Sequence, residues 1–378
     1  LPEYVVAARR IKETLLANLV MAGEIPAPTF GEHNRNRFLV DRFTECGLSS
    51  CALDEMDNGY GILPGKSGER RILVTAHADT AFDEHADHAI AVHPDQVVGP
   101  AISDNGLGIA ALATLPTLLE SLNISLDSDL VLMGSTRSLG RGNIEGVSFF
   151  LDNLKKPLSG AILLEGVQLG RLSHEALAMY RGEIRVELSD SFDWTRFGSQ
   201  GAILTINEII NHINNIRLPR SPRVSIMFSR LRGGTTSTPV ATKASLRFEI
   251  RSESDRMVQE VEDQIHDLVH EIASRTGNTI ALNTIARRES GALGFTHPLT
   301  KSARTIMEAL EVTPRQAPSV SELAAFVKRE IPALTLGLTT GTSLNDEHER
   351  LQIEPMFVGM AQLIAILETM DKGAQDEH

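Results

Sequence analysis

Several things are scarce in this sequence, and each scarcity excludes something. Only two of the 378 residues are cysteine, Cys46 and Cys51. That is too few for a disulfide scaffold or a cysteine zinc site, and a reducing cytoplasm is the expected compartment. Positive charge is short as well: 36 Lys and Arg against 49 Asp and Glu leave a net charge of −13. A nucleic-acid or anionic-membrane partner needs a basic face, so neither is expected. No apolar run is expected to reach the ~20 residues of a membrane span. The opening LPEYVVAARRIKETLLANLV is interrupted by charges and reads as an amphipathic helix, not as a secretory signal. Phosphate-binding signatures are missing too. No GxxxxGK[ST] occurs, and in VLMGSTRSLGRGNIEG the glycines Gly140, Gly142 and Gly146 are spaced one residue too widely for a dinucleotide fingerprint.

What is present is an ordinary globular composition, 42% hydrophobic and 22% charged, in a chain longer than one hydrophobic core usually serves. Two domains are therefore expected. Buried strands are read at RRILVTAHADT, DLVLMGST and GAILLEG, alternating with helices through HNRNRFLVDRFTEC, NGLGIAALATLPTLLESL and VSFFLDNL, and HAIAVHPDQVVGPAI reads as a hairpin. Strand alternating with helix implies an α/β domain with a helix-flanked, mainly parallel sheet.

The pattern changes near residue 178. RGEIRVELSD, AILTINEIINHINNI, RVSIMFSRLRG, KASLRFEIRS, MVQEVEDQIHDLVHEIASR and TIALNTIARR follow as strand, helix, strand, strand, helix, strand. This βαββαβ order is the ferredoxin-like unit. After about residue 292 the α/β pattern resumes with PLTKSARTIMEAL, IPALTLGLTT and MFVGMAQLIAILETM. The expected organisation is a discontinuous α/β domain, 1–178 and 292–378, carrying an inserted ferredoxin-like lid at 179–291.

Ligands in open α/β sheets bind beyond the carboxyl ends of the strands. Four acidic or imidazole groups fall there: His77 and Asp79 in HAD, Asp104 in GPAISDNG, and Glu165 in LLEG. One imidazole with carboxylates suits zinc, and an Asp two residues from a ligand His is placed to orient its ring. Taken singly, each is as readily an ordinary polar residue at a strand end.

With these residues in view, AHADT, GPAISDNGLGIAAL, GRGNIEG, LLEG, RLRGGTTSTPVA, LRFEIRS and IPALTLGLTTG occur in an order and spacing that resembles the zinc-dependent exopeptidases and deacylases. That family includes peptidase T, carboxypeptidase G and acetylornithine deacetylase. The resemblance spans essentially the whole chain. It implies a metal site at His77, Asp104 and Glu165, with Asp79 steering the His77 ring, and small peptides or N-acyl amino acids as substrates. It also implies a lid that dimerises through the helix AILTINEIINHINNI.

The same resemblance exposes departures. The family carries a Glu-Glu pair, general base then second-metal ligand, and alignment on the glycines of GRGNIEG puts Ser138 and Leu139 there. The serine hydroxyl is too weakly acidic to ionise near neutral pH and so cannot activate water as that base, and leucine binds no metal. The family's lid histidine, which helps hold the oxyanion, aligns with Phe192 in FDWTRFG. The last metal ligand aligns with Asn345 in NDEHERLQI, with His348 three residues on. The lid turn Arg232, Gly233, Gly234 and Thr235 matches the substrate-facing turn, but the Asn expected near it is replaced at about Thr238. Arg137 adds a charge beside the vacated second site, able to bind a carboxylate or to point to solvent.

Two expectations of different class follow. The leading one is a pseudoenzyme that keeps the fold for ligand binding, regulation or assembly with a protein partner. The alternative is a hydrolase using a single zinc, at most one ion per chain, with a substitute base such as His348 or Glu347.

Overall fold

The computed structural model describes residues 1–188, 201–234, 240–344 and 346–373. The chain divides into two compact units, Leu1–Ala176 with Ala292–His378, and Leu177–Gly291.

The first unit is built on an eight-stranded sheet. Its strands are β1 (Ser49–Leu53), β2 (Gly59–Leu63), β3 (Arg71–His77), β4 (Asp129–Ser135), β5 (Gly160–Val167), β6 (Arg171–Ser173), β7 (Arg315–Gln316) and β8 (Ala333–Thr339). They lie side by side in the order β1-β2-β4-β3-β5-β8-β6-β7. The central four, β4, β3, β5 and β8, are mutually parallel, so their carboxyl ends share one edge. β2 joins that core antiparallel, and β1 pairs antiparallel with β2 at the edge.

Alternation along the strands divides the core in two. Ile72, Val74, Leu132, Ile162 and Leu336 face helices that include Lys12–Gly23, His33–Glu45, Leu107–Ser121 and Glu354–Gly373. Leu73, Val131, Met133 and Leu163 face Val147, Leu151 and Phe326 on the other side. A sheet buried on both faces explains why these strands read as unbroken apolar runs.

Two local expectations need correction, and one element was not anticipated. The N-terminal helix is two helices, Pro2–Arg10 and Lys12–Gly23, separated at Ile11 although hydrogen bonds continue through it. A segment does reach membrane-span length and hydropathy, Ile102–Ser121, with 89% of it buried inside the protein. It is apolar all round because the sheet and neighbouring helices surround it. The hairpin β1–β2 had no clear sequence signal. Gly59 is why: a Cβ there would meet the Asn36 carbonyl oxygen at 2.7 Å. The close approach of helix His33–Glu45 demands glycine where strand propensity demands a branched side chain.

The second unit is a four-stranded antiparallel sheet in the order Val224–Gly233, Lys243–Ser252, Ala178–Glu187, Thr279–Arg288. Helices Ala202–Asn214 and Asp255–Thr276 pack on one face through Ile206, Ile209, Val261 and Ile265 against Tyr180, Ile184, Phe248 and Ile250. This is the ferredoxin-like βαββαβ arrangement, and among the described residues it shares no strand with the main sheet. Its outward-facing residues form a charge ladder: Glu183 is held by Arg185 and Arg247, and Glu249 by Arg181 and Arg251.

Candidate metal centre at the carboxyl edge of the sheet

Each ligand is placed by a different piece of backbone. His77 is the last residue of β3, and Glu165 lies near the end of the adjacent β5. Asp104 sits in the turn of Ile102–Gly106 just before helix Leu107–Ser121. Asn105 ties that turn to β5, donating to the Leu164 carbonyl at 2.8 Å and accepting from Gly166 N–H at 3.0 Å. On the other side of the turn, Ser103 N–H donates to the buried Glu349 carboxylate at 2.8 Å.

The three side chains converge. His77 Nε2 is 2.9 Å from Asp104 Oδ1 and 3.9 Å from Glu165 Oε2. One ligand atom from each lies within 4.8 Å of the others, the one such trio of His, Cys, Asp or Glu among the described residues. The far side of the ring is fixed as well: Nδ1 faces the Asp79 carbonyl at 3.0 Å and the Asp79 carboxylate at 3.3 Å. Asp79 is completely buried and accepts from Thr29 Oγ1 at 2.8 Å and from Leu139 N–H at 2.7 Å.

The electrostatics fit a small cation. Burial pushes the Glu165 carboxyl above the usual range; Arg171 and His77 oppose this, while Asp104 and Glu322 add to it. Burial works to lower His77, but Asp104 and Asp79 outweigh it and hold the ring well above its ordinary value. The nearest fixed cation to Glu165 is Arg171, with Nη1 at 3.8 Å. Two carboxylates and an imidazole aimed at one point, partly neutralised by a single arginine, are a donor set for a divalent ion with N/O preference.

The other predicted residues are distributed as follows. Ser138 is buried in the loop after β4. Leu139 beside it is half-buried and contributes only its backbone N–H to Asp79. Arg137 does not stand open as a spare cation: its guanidinium lies 5.5 Å over the Phe30 ring and 3.6 Å from Glu145, and its N–H donates to Glu32 at 2.8 Å. His348 and Glu347 are exposed, and the His348 N–H donates to its neighbour Asp346. In the second unit Arg232 is exposed on its strand and Gly234 has a positive φ of 80°. Phe192, Thr235, Thr238 and Asn345 lie outside the described residues.

Two groups near the centre were not foreseen. Glu322 is 4% exposed, and its Oε1 accepts from Ser135 Oγ at 2.6 Å and from Ser138 Oγ. In the sequence it stands in SVSELAAF, where Ser and Glu three apart before an apolar run read as a solvated helix-capping pair. Arg35 is wholly buried and donates to the carbonyls of Ala78, Ile25 and Gly23 at 2.9, 2.6 and 3.3 Å. Its position on the helix HNRNRFLVDRF gives only the usual expectation of a solvated arginine.

The glycines of the loop after β4 also find their reason here. A Cβ on Gly142 would lie 2.2 Å from the Arg137 carbonyl oxygen, and one on Gly146 would lie 2.4 Å from that of Thr136. They fold the loop tightly back on itself.

Neither a protein-family model nor a curated protein matches the sequence. Solved structures do resemble it. Aminopeptidase PepT from Bacillus cereus is 16% identical with a TM-score of 0.72, over 96% of this chain and 99% of that one. The dipeptidase Dug1p from Saccharomyces cerevisiae is 11% identical with a TM-score of 0.78, over 98% of each chain. The YxeP protein of Bacillus subtilis, a dinuclear metal-binding peptidase of the M20 family, is 15% identical with a TM-score of 0.66, over 95% of this chain and 98% of that one. The expected zinc-exopeptidase fold is thus the observed one, across nearly the full length.

Proposed function

We propose that this chain, having the fold of the metal-dependent exopeptidases, is a hydrolase that uses one zinc-like ion to cleave amide bonds of small peptides or N-acyl amino acids. The observation that carries the reading is the convergence of His77, Asp104 and Glu165, with Asp79 locking the imidazole. A bound ion would supply Lewis-acid polarisation of a carbonyl and of a water. The protein's own part is to hold those three donors, keep His77 in one ring orientation and carry the proton through a residue outside the Ser138–Leu139 loop.

A second reading is favoured by that loop itself. Ser138 and Leu139 offer neither a carboxylate base nor a second-ion ligand, which suits a ligand-binding or partner-regulating protein without turnover. The two readings separate in one experiment. Purified protein is dialysed against zinc and assayed on dipeptides, tripeptides and N-acyl amino acids. We expect one ion per chain, none in His77→Ala, and hydrolysis below the usual ~10 per second. Two tightly held ions, or full occupancy in His77→Ala, would refute the metal assignment. One ion with no hydrolysis would leave the binding-protein reading.

A further inference from the structure

We propose that Glu322 is the general base of this site, a carboxylate supplied from the segment before helix Leu323–Val327 to the loop that follows β4. The inference rests on the hydrolase reading above. Ser138 is adjacent to Leu139, whose N–H grips the carboxylate of Asp79, and Asp79 in turn grips the His77 ring. The Ser138 hydroxyl donates to Glu322 Oε1, as does the Ser135 hydroxyl at 2.6 Å from the end of β4. Only two links, Ser138–Leu139 and Asp79, therefore separate Glu322 from the His77 ring. Both serines act as positioning residues: they hold Oε1 of the Glu322 carboxylate.

Glu322 is buried, and burial pushes its carboxyl above the usual range; His77 and the two serine hydroxyls draw it back, and Asp79 pushes it further up. A carboxylate whose affinity for protons is raised is a better base than an ordinary exposed one. By contrast, Glu347 and His348 are exposed on the loop before Glu349.

The step balances. A water O–H proton passes to the Glu322 carboxylate, and the freed oxygen lone pair bonds to the amide carbonyl carbon as the carbonyl π pair moves onto its oxygen, from which it re-forms the C=O bond when the leaving group departs. When the C–N bond breaks, its electron pair goes to nitrogen, which takes the proton back from Glu322. The products are a carboxylic acid and an amine, and Glu322 returns to its ionised form.

The test compares wild type, Glu322→Gln and Glu322→Asp, each loaded with zinc. Glutamine is isosteric and still accepts from both serines, so zinc stoichiometry and thermal midpoint are expected to hold. Turnover should fall ~100-fold or more, the usual worth of general-base assistance. The limb of the rate profile that rises with pH in wild type should vanish in Glu322→Gln and survive at reduced rate in Glu322→Asp. A second readout needs no turnover: isotope-edited infrared spectra of the metal-free protein should show a carboxylic-acid signal titrating above the ordinary glutamate range, absent in Glu322→Gln. Zinc-loaded wild type that hydrolyses nothing overturns the hydrolase reading and this one together. Activity that survives Glu322→Gln within about threefold, or a metal-free spectrum without the signal, overturns the role of Glu322 alone.

Discussion

Replacing Arg35 by Met removes a cation from beneath the metal centre while keeping an unbranched side chain of similar length. Arg35 is fully buried and its guanidinium satisfies the carbonyls of Ala78, Ile25 and Gly23. Burial draws its pKa down to about 10, against the opposing charges of Asp79 and Glu32, so it is still protonated at neutral pH. The variant leaves three acceptors without this donor and two buried carboxylates without their counter-charge. Each orphaned acceptor costs ~1–3 kcal/mol, and removing the cation that faces two buried carboxylates adds an electrostatic cost bounded by the ~3–5 kcal/mol of a broken buried pair. These costs describe overlapping losses, so the expected total is ~3–5 kcal/mol and not their sum. Ala78 lies between His77 and Asp79, so the loss of its hydrogen bond also loosens the segment that aims the imidazole. Disturbing groups behind a metal ligand typically costs ~10–100-fold in affinity. Urea unfolding measures the first quantity and zinc titration the second. Arg35→Lys keeps the charge without the planar fork and should fall between. A loss below about 1 kcal/mol with unchanged zinc affinity would refute the claim that this guanidinium holds the strand end in place.

Two further outcomes follow from the same geometry. Gly146→Ala forces a Cβ to within 2.4 Å of the Thr136 carbonyl oxygen, so it should destabilise the protein by ~1–3 kcal/mol, and a melting midpoint equal to wild type would contradict the packing argument. Glu249 in the charge ladder titrates below the usual range: burial alone would raise it, but Arg181 and Arg251 more than reverse that. A depressed folded pKa means that the ladder's stabilisation is present above the unfolded pKa and lost as pH falls through the folded one. Glu249→Gln should therefore cost about 1 kcal/mol at neutral pH, given partly exposed arginines, with the gap to wild type closing below the ordinary glutamate range. A gap that is constant with pH would refute the electrostatic account.

The sequence by itself determined the elements with strong periodicity and which polar side chains stand at their ends. Unbroken apolar runs at Arg71–His77, Asp129–Ser135 and Gly160–Val167 can be buried only between two helical layers, and alternation in Ala178–Glu187 and Thr279–Arg288 only on a sheet with one covered face. That His77 and Glu165 stand together was legible because adjacent parallel strands bring their carboxyl ends to one edge, and Asp104 joins them from the turn before helix Leu107–Ser121. The rest depended on contacts between residues far apart in the chain. Ser138 and Glu322 are 184 residues apart, and Ser138 reads as an empty site until the fold brings a carboxylate to it. Arg35 and Glu322 look solvated because local pattern assigns charged residues to water. Only the packed interior, where Arg35 meets carbonyls and Glu322 meets hydroxyls, supplies the partners that make burying them tolerable.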